Sequence, residues 1–354
     1  MIVKTGIQEI LKKAVGLGAS DVHIKAGVPP TLRISRELQL ESEFPACTDQ
    51  DIRGFFSEIT TNEQREVFYQ EWELDFAYTA EDVGRFRVNA YFHLGTLALM
   101  FRWVRSEVPT LDKLGLPPIC QDLALRRDGL VILTGPTGCG KSTTLAAMLN
   151  YMNTKIKRNV ITIEDPVEFL HQDDKCTFSQ REVNMDTHSF PAALKHVLRQ
   201  DPDVILIGEM RDLETMSIAL TAAETGHLIL TTLHTPSSWE AIDRFVDAFP
   251  ANQHPQVRLQ LSTTLQGIIY QKLVKKAYEE GVTPAVEVLI GTPAIRNLIR
   301  EAKSFQMATF MHSGKTEGMQ TLDQSLMDLY YRNIITHEEA LSHSQNPENF
   351  GRGE

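Results

Sequence analysis

Apolar and polar residues alternate with two different periods over the first hundred positions of the chain. Residues 22–24 and 31–34 are short strand-like runs, VHI and TLRI, and 84–104 predicts a β-hairpin that turns around residues 93–95. Together with a helical period near the start, these patterns predict a small α+β domain over residues 1–104. The apolar residues with helical spacing are Ile7, Ile10, Leu11 and Val15.

The predicted hairpin carries three arginines. Successive side chains of a strand point to opposite faces, so Arg85 and Arg87 share one face while Phe86 takes the other. On the second strand, Arg102 is opposite in phase to Phe101. One surface of the predicted sheet can therefore present all three guanidinium groups.

The composition changes at residues 106–118, SEVPTLDKLGLPP, where three prolines and a glycine interrupt both periodic patterns. We predict an interdomain hinge linker over residues 105–118. Beyond it, apolar runs alternate with helical stretches, as is typical of a parallel sheet covered by helices. We therefore predict an α/β core over 119–290 and a helical C-terminal region over 291–354. The apolar runs are LVILT (130–134), NVITI (159–163), DVILIG (203–208) and HLILTTL (227–233).

The first apolar run leads into GPTGCGKST, which satisfies the GxxxxGK[ST] phosphate-loop pattern between a strand and a helix. Its glycines let backbone N–H groups turn toward a phosphate, and the following helix adds the positive end of its dipole. Lys141 is predicted to reach the β- and γ-phosphates of ATP, and the Ser142 hydroxyl to ligate Mg²⁺. The predicted nucleotide-binding residues are Gly135, Pro136, Thr137, Gly138, Cys139, Gly140, Lys141, Ser142 and Thr143.

Acidic residues follow two of the other apolar runs. Glu209 comes directly after one of them, and Gly208 stands where the acidic strand of a P-loop site usually has an aspartate. Glu209 is therefore the candidate both for polarising the attacking water and for contacting the water shell of the magnesium. Glu164 ends the run NVITIE and is a candidate for holding a magnesium-bound water, with a structural Asp-Pro turn at 165–166 as the alternative.

Two histidines bracket the fourth apolar run. His227 and His234 are seven residues apart, which does not make them an adjacent metal pair, so zinc is not indicated. Because seven is odd, a single extended strand would point the two rings to opposite faces, one of them toward the γ-phosphate. Both are candidate catalytic residues, and a buried structural role is the alternative for each.

Charge and composition narrow the functional classes. The net charge of −11 is the opposite of the basic balance of a protein that neutralises nucleic-acid phosphates. The four cysteines are scattered and form no CxxC pair for zinc or thiol exchange. No stretch reaches the ~20 uncharged apolar residues that a membrane-spanning helix needs. We therefore expect a cytoplasmic protein that has no transmembrane segment and binds no nucleic acid.

Four blocks stand in one order along the chain: GPTGCGKST, ITIEDPVEFLH, DPDVILIGEMRDLET and TGHLILTTLHT. Together they resemble the Walker A, aspartate-box, Walker B and histidine-box elements of the secretion and type IV pilus motor ATPases. GASDVHI at 18–24 and GRFRVNAYF at 84–92 are similar to the small PAS-like domain that precedes the RecA-like core of these motors. The resemblance covers nearly the whole chain and implies a RecA-like P-loop NTPase that hydrolyses ATP with Mg²⁺.

Two further segments are similar to the retraction branch of the family: SQREVNMDTHSF at 179–190 and AIRNLIRE at 294–301. They imply a motor that powers type IV pilus retraction, and with it twitching motility, by depolymerising pilin into the inner membrane. Cys139 replaces a commoner serine, and Ala302 stands where the signature usually continues with glycine. An accessory retraction paralogue and an assembly or type II secretion motor are the alternatives within the family.

The resemblance also implies partners. Six copies form a ring with ATP between neighbours, where Arg87 and Arg102 reach the phosphates as arginine fingers, with solvated surface arginines as the alternative. The ring is expected to bind an inner-membrane platform protein at the cytoplasmic face of that membrane, and a paralogous retraction ATPase is a further candidate partner. The competing functional classes are a nucleic-acid translocase and a nucleotide-binding scaffold that does not hydrolyse ATP.

Overall fold

The computed structural model describes residues 6–34, 37–104 and 107–350. The chain divides into two compact units, one comprising Met1–Glu107 with Glu168–Leu170 and the other Val108–Val167 with His171–Glu354. Residues 105 and 106 of the predicted linker lie outside the described residues. Leu111 and Leu116, from the rest of that segment, are buried in the core of the second unit. The domain boundaries drawn from sequence stay a prediction.

The first unit contains a six-stranded antiparallel sheet in the order β3-β2-β1-β6-β5-β4. Its strands are β1 (Asp21–Ile24), β2 (Thr31–Ile34), β3 (Glu37–Leu40), β4 (Glu73–Ala80), β5 (Gly84–His93) and β6 (Thr96–Val104). Its helices are α1 (Ile7–Gly16), α2 (Asp49–Ile59) and α3 (Asn62–Glu71). This composition confirms the predicted α+β class of the smaller unit.

The predicted hairpin is confirmed, because β5 and β6 pair from Arg85 opposite Val104 to His93 opposite Thr96. Phe86 and Val88 are buried on one face of β5, as the alternation requires. On the other face Arg87 lies directly opposite Arg102. The hairpin therefore presents two arginines side by side.

The second unit is built on a seven-stranded sheet in the order β13-β12-β7-β11-β10-β8-β9. Its strands are β7 (Gly129–Thr134), β8 (Asn159–Glu164), β9 (Thr177–Glu182), β10 (Val204–Ile207), β11 (Leu228–Leu233), β12 (Leu265–Lys275) and β13 (Val282–Ile290). The six strands from β12 to β9 run parallel, and β13 is antiparallel to β12. Pro284 lies in β13, at the sheet edge where a strand tolerates proline.

Helices cover the sheet of the second unit. They are α4 (Ile119–Ala124), α5 (Lys141–Lys155), α6 (Phe190–Val197), α7 (Leu213–Glu224), α8 (Glu240–Asp247), α9 (His254–Thr264), α10 (Pro293–Arg300), α11 (Met307–Ser313), α12 (Leu322–Tyr331) and α13 (His337–His343). Every residue of β7, β10 and β11 is buried, so both faces of the central strands are covered. The predicted parallel α/β core and the helical region after Ile290 are confirmed.

Candidate active site

The phosphate loop joins β7 to α5. Lys141 is buried, and its ammonium Nζ donates to Gly135 O at 2.9 Å and to Pro136 O at 3.0 Å, inside the turn of the loop. Gly135 has a φ of 141°, and a Cβ added there would lie 2.3 Å from the carbonyl oxygen of Gln271. Gly140 caps α5 with a φ of 88°. The loop therefore needs glycine at both ends to adopt this conformation.

Three predicted site residues lie at the ends of neighbouring parallel strands. Glu164 is the last residue of β8, Glu209 follows β10, and His234 follows β11. The strand ends are tied together, since Gly208 N–H donates to Ile163 O at 2.8 Å. The carboxyl ends of parallel strands meet at one edge of a sheet, which is where open α/β proteins bind ligands.

Glu209 contacts two neighbouring side chains, Arg211 and His234. Its Oε2 accepts a hydrogen bond from Arg211 Nη2 at 2.7 Å, and its Oε1 lies 3.3 Å from His234 Nε2. The Arg211 hydrogen bond, opposed by burial and helped by the charges of His234, Arg211 and Lys141, holds the pKa of Glu209 below its ordinary value. The Glu209 side chain is 23% exposed, so an ionised carboxylate is available to accept a proton from water.

Glu164 lies at the end of β8, which is on the other side of β10 from β11 and His234. Thr162 Oγ1 donates to its Oε1 at 2.6 Å, and Gln180 Nε2 donates to the same oxygen at 3.3 Å. Ser142 lies in the first turn of α5 and is half-buried. Ser142, Glu164 and Glu209 are the predicted magnesium residues, and of these only the hydroxyl of Ser142 belongs to the phosphate loop itself.

His227 does not join this group. It precedes β11, at the amino end of the strand, and its Nδ1 lies 3.0 Å from Ala222 O and 3.2 Å from Thr225 Oγ1. The six residues of β11 separate it from His234 by about 20 Å. The two histidines therefore lie at opposite ends of β11. The sequence predicted only that their rings would point to opposite faces of an extended strand.

Arg87 and Arg102 belong to the first unit. Arg102 Nε donates to Asp21 Oδ1 at 2.8 Å, and Arg33 Nε lies 3.8 Å from the other carboxylate oxygen. Asp21 is buried, whereas Arg102 is more than half exposed. The carboxylate therefore holds the base of the Arg102 guanidinium while leaving its outer nitrogens accessible.

Three features of the site were not predicted from the sequence patterns. Arg211 is two residues from Glu209 but belongs to no strand period, and Gln271 lies on β12, which was not predicted. A cavity of about 550 Å³ opens beside the loop. Its lining includes Leu114, Gly140, Thr143, Gln271, Leu273 and Val282.

The donor set fits a magnesium ion held mainly through a nucleotide. Within residues 6–34, 37–104 and 107–350, no group of three or more His, Cys, Asp or Glu side chains is arranged to bind a metal ion on its own. A hydroxyl beside the helix terminus and carboxylates at the strand ends are the oxygen groups that Mg²⁺ accepts alongside phosphates. Over the same ranges, none of the helices is long and apolar enough to cross a membrane.

Known proteins share this architecture. Residues 85–289 match the family model described as type II/IV secretion system protein. The type IV pilus retraction ATPase PilT of Pseudomonas aeruginosa is 46% identical over 97% of this chain and 99% of its own length. The type IV pilus ATPase PilU of the same organism is 42% identical over 95% of this chain and 88% of its own.

A solved structure supports the same assignment. The crystal structure of the pilus retraction motor PilT with bound ADP superposes with a TM-score of 0.90, at 44% identity and 98% coverage of both chains. That match confirms the RecA-like fold implied by the four sequence blocks. The chain therefore belongs to the type II/IV secretion system protein family, in the subfamily of PilT and PilU.

Proposed function

We propose that the chain is the ATP-hydrolysing motor subunit that powers type IV pilus retraction. The observation that carries this proposal is the meeting of a phosphate loop with the Glu209–His234 pair at one sheet edge, in a chain that resembles PilT over nearly its whole length. The PilT crystal structure contains ADP, which supports a nucleotide as the ligand of this loop.

The proposed chemistry gives each side chain of the site a role. Lys141 and the N-terminus of α5 bind the phosphates, and the cavity beside Gly140 and Thr143 accommodates the nucleoside. Glu209 accepts a proton from the attacking water as the new P–O bond forms, and the bond between the γ-phosphorus and the bridging oxygen breaks to release ADP. His234 orients the carboxylate.

Magnesium supplies charge neutralisation on the phosphate oxygens when it is bound. Ser142 would ligate it, and Glu164 and Glu209 would contact it through water. Lys141 keeps its position through the two loop carbonyls, so its positive charge is available before the nucleotide arrives.

We propose further that six copies assemble into a ring. Arg87 and Arg102 of one copy would then complete the site of the next as arginine fingers. Their direct pairing on the hairpin and the ion pair of Arg102 with Asp21 support this role, because both arginines start from a fixed scaffold. The ring would act on an inner-membrane platform protein from the cytoplasmic side, with or without a paralogous ATPase.

The experiment is a deletion of the gene in its own organism, with pili and twitching motility scored. Retraction predicts an excess of pili that do not retract and a loss of twitching, restored by the wild-type gene but not by Lys141→Ala. Cells without pili would instead assign the chain to assembly. Normal twitching together with normal pilus numbers would contradict a role in the pilus motor.

A further inference from the structure

We propose that Gln271 is a positioning residue of the phosphate loop, which sets the shape of the loop before nucleotide binds. This inference rests on the proposed ATP-binding function of the same loop. Gln271 is 2% exposed and lies on β12, the strand next to β7. A polar side chain so deeply buried beside a ligand-binding loop calls for a specific set of partners.

Both ends of the Gln271 amide have such partners. Nε2 donates to Cys139 O at 2.6 Å, and Oε1 accepts from Thr144 Oγ1 at 2.8 Å. A carbonyl oxygen only accepts hydrogen bonds, so the NH₂ group of the amide must face the loop and its oxygen must face α5. One side chain therefore connects the loop to the first turn of the helix that follows it.

The backbone of Gln271 is held in the sheet. The Gln271 backbone is paired with Val286 on β13, and its neighbour Tyr270 is paired with Thr134 at the end of β7. A β-strand held on both sides moves little, so the amide has a fixed origin. The loop is fitted closely to it, because a Cβ at Gly140 would lie 2.9 Å from Gln271 Nε2.

The hydrogen bond to the Cys139 carbonyl fixes the direction of the next backbone N–H, a donor that can bind phosphate. In a planar trans peptide the C=O of one residue and the N–H of the next point in opposite directions. Since the Cys139 carbonyl points to Gln271, the Gly140 N–H must point away from Gln271. Backbone N–H groups of this loop are the donors that hold phosphates, so the amide fixes the aim of one of them.

The test compares Gln271→Met with a control variant, Gln260→Met, in the full chain. Gln260 lies on α9, which precedes β12 at the end of the sheet opposite the loop, and its Nε2 donates to Glu224 Oε2 at 2.6 Å, so its loss also removes a glutamine side-chain hydrogen bond. For Gln271→Met we expect the KM for ATP and the Kd for MgADP to rise about tenfold, with kcat within about threefold of wild type, because binding is lost equally in ground and transition states. Gln260→Met should leave both constants unchanged.

Two outcomes would overturn the inference: KM and Kd within twofold of wild type in Gln271→Met, or an equal rise in Gln260→Met. If Gln271→Met does not fold, Thr144→Val releases only the Oε1 end and is expected to raise KM about threefold; an unchanged KM there also contradicts the inference. Wild-type hydrolysis is measured in parallel, so a wild-type chain without turnover would reject the proposed function instead.

Discussion

Thr134 and Thr235 share a buried hydrogen-bonded contact across 101 residues of sequence. Their hydroxyl oxygens are 2.8 Å apart, and Thr235 N–H donates to Thr134 Oγ1 at 2.9 Å. Thr134 immediately precedes Gly135 of the phosphate loop, and Thr235 immediately follows His234. The contact therefore joins the loop that binds phosphate to the strand end that carries the histidine.

Thr134→Val should destabilise the second unit by about 1–3 kcal/mol, because the buried Thr235 N–H loses its acceptor. Thr235→Val should cost about 1 kcal/mol, because its hydroxyl contacts with Thr134 Oγ1 and Ser237 O are lost while Thr134 Oγ1 still accepts from the backbone N–H. The double variant Thr134→Val/Thr235→Val should cost less than the sum of the two, since the same contact is removed in each. Urea unfolding of the four proteins measures this coupling, and Thr134→Ser, which retains the hydroxyl, is the control. Strictly additive losses would show that the contact contributes no coupling.

Arg296, within the AIRNLIRE segment, binds the end of a neighbouring helix. Its guanidinium donates to Ser262 O, Thr263 O and Leu265 O at the C-terminus of α9, and to Gly291 O. One planar group thereby bonds four carbonyl oxygens, of which Ser262 O and Thr263 O lie in the last turn of α9, where a helix has no partners of its own.

Arg296→Lys should therefore cost about 3 kcal/mol of unfolding free energy, since an ammonium cannot span the same carbonyls. Arg300→Lys is the control, because Arg300 is exposed and its two hydrogen bonds are 3.3 and 3.4 Å long. Its change should lie within about 0.5 kcal/mol of wild type. Equal losses in the two variants would remove the special role of Arg296.

The sequence was sufficient to predict the parts of this molecule that have strong local periodicity or turn chemistry. The four central strands are runs of mainly apolar residues bounded by glycine, histidine or charged residues, and all four were found. The strand β12 was missed because α9 passes directly into it at Leu265, with no glycine or proline between them. The role of Gln271 was hidden with it.

The remaining differences between the predicted and the observed site come from where residues lie in the folded chain, and not from their residue types. His227 and His234 have the same side chain and frame the same strand, and only the direction of the parallel sheet places one of them near Glu209. Likewise Asp21 is far from Arg102 in sequence, and the antiparallel pairing of β1 with β6 brings them together. Such contacts depend on tertiary structure and have no local pattern.

Glu287 is a buried carboxylate whose effect on stability should depend on pH. Burial raises its pKa above the ordinary 4.5, against the hydrogen bonds that it accepts from Ser238 N–H and Oγ at 2.7 and 2.6 Å. As pH rises through the unfolded-state pKa, the unfolded chain ionises first, so the folded state loses stability until its own Glu287 ionises.

Glu287→Gln should accordingly be more stable than wild type at neutral pH, by on the order of 1 kcal/mol, because a neutral amide oxygen can accept the same bonds. The difference should disappear below about pH 4, where the carboxyl is protonated in both states. Urea unfolding between pH 4 and pH 8 measures it. A difference that is constant across this range would contradict the titration of Glu287 as its cause.

The proposed arginine fingers make a prediction about mixtures of subunits. Arg87→Ala or Arg102→Ala should lower kcat by about 10³-fold or more if each guanidinium stabilises the transition state. Arg33→Ala, which removes the other arginine near Asp21, is the control and should retain activity. Mixing Arg102→Ala chains with Lys141→Ala chains should restore part of the activity, because some interfaces then combine two intact halves. No recovery on mixing would place the arginines outside a shared site.

The most direct test of the central claim is the steady-state ATP turnover of the purified chain and of Glu209→Gln. The wild-type chain should hydrolyse ATP, and Glu209→Gln should lose about 10²–10⁴-fold in kcat while it still binds MgATP, because the amide cannot accept the proton of the attacking water. Turnover by Glu209→Gln within a few-fold of wild type would contradict the account of this site.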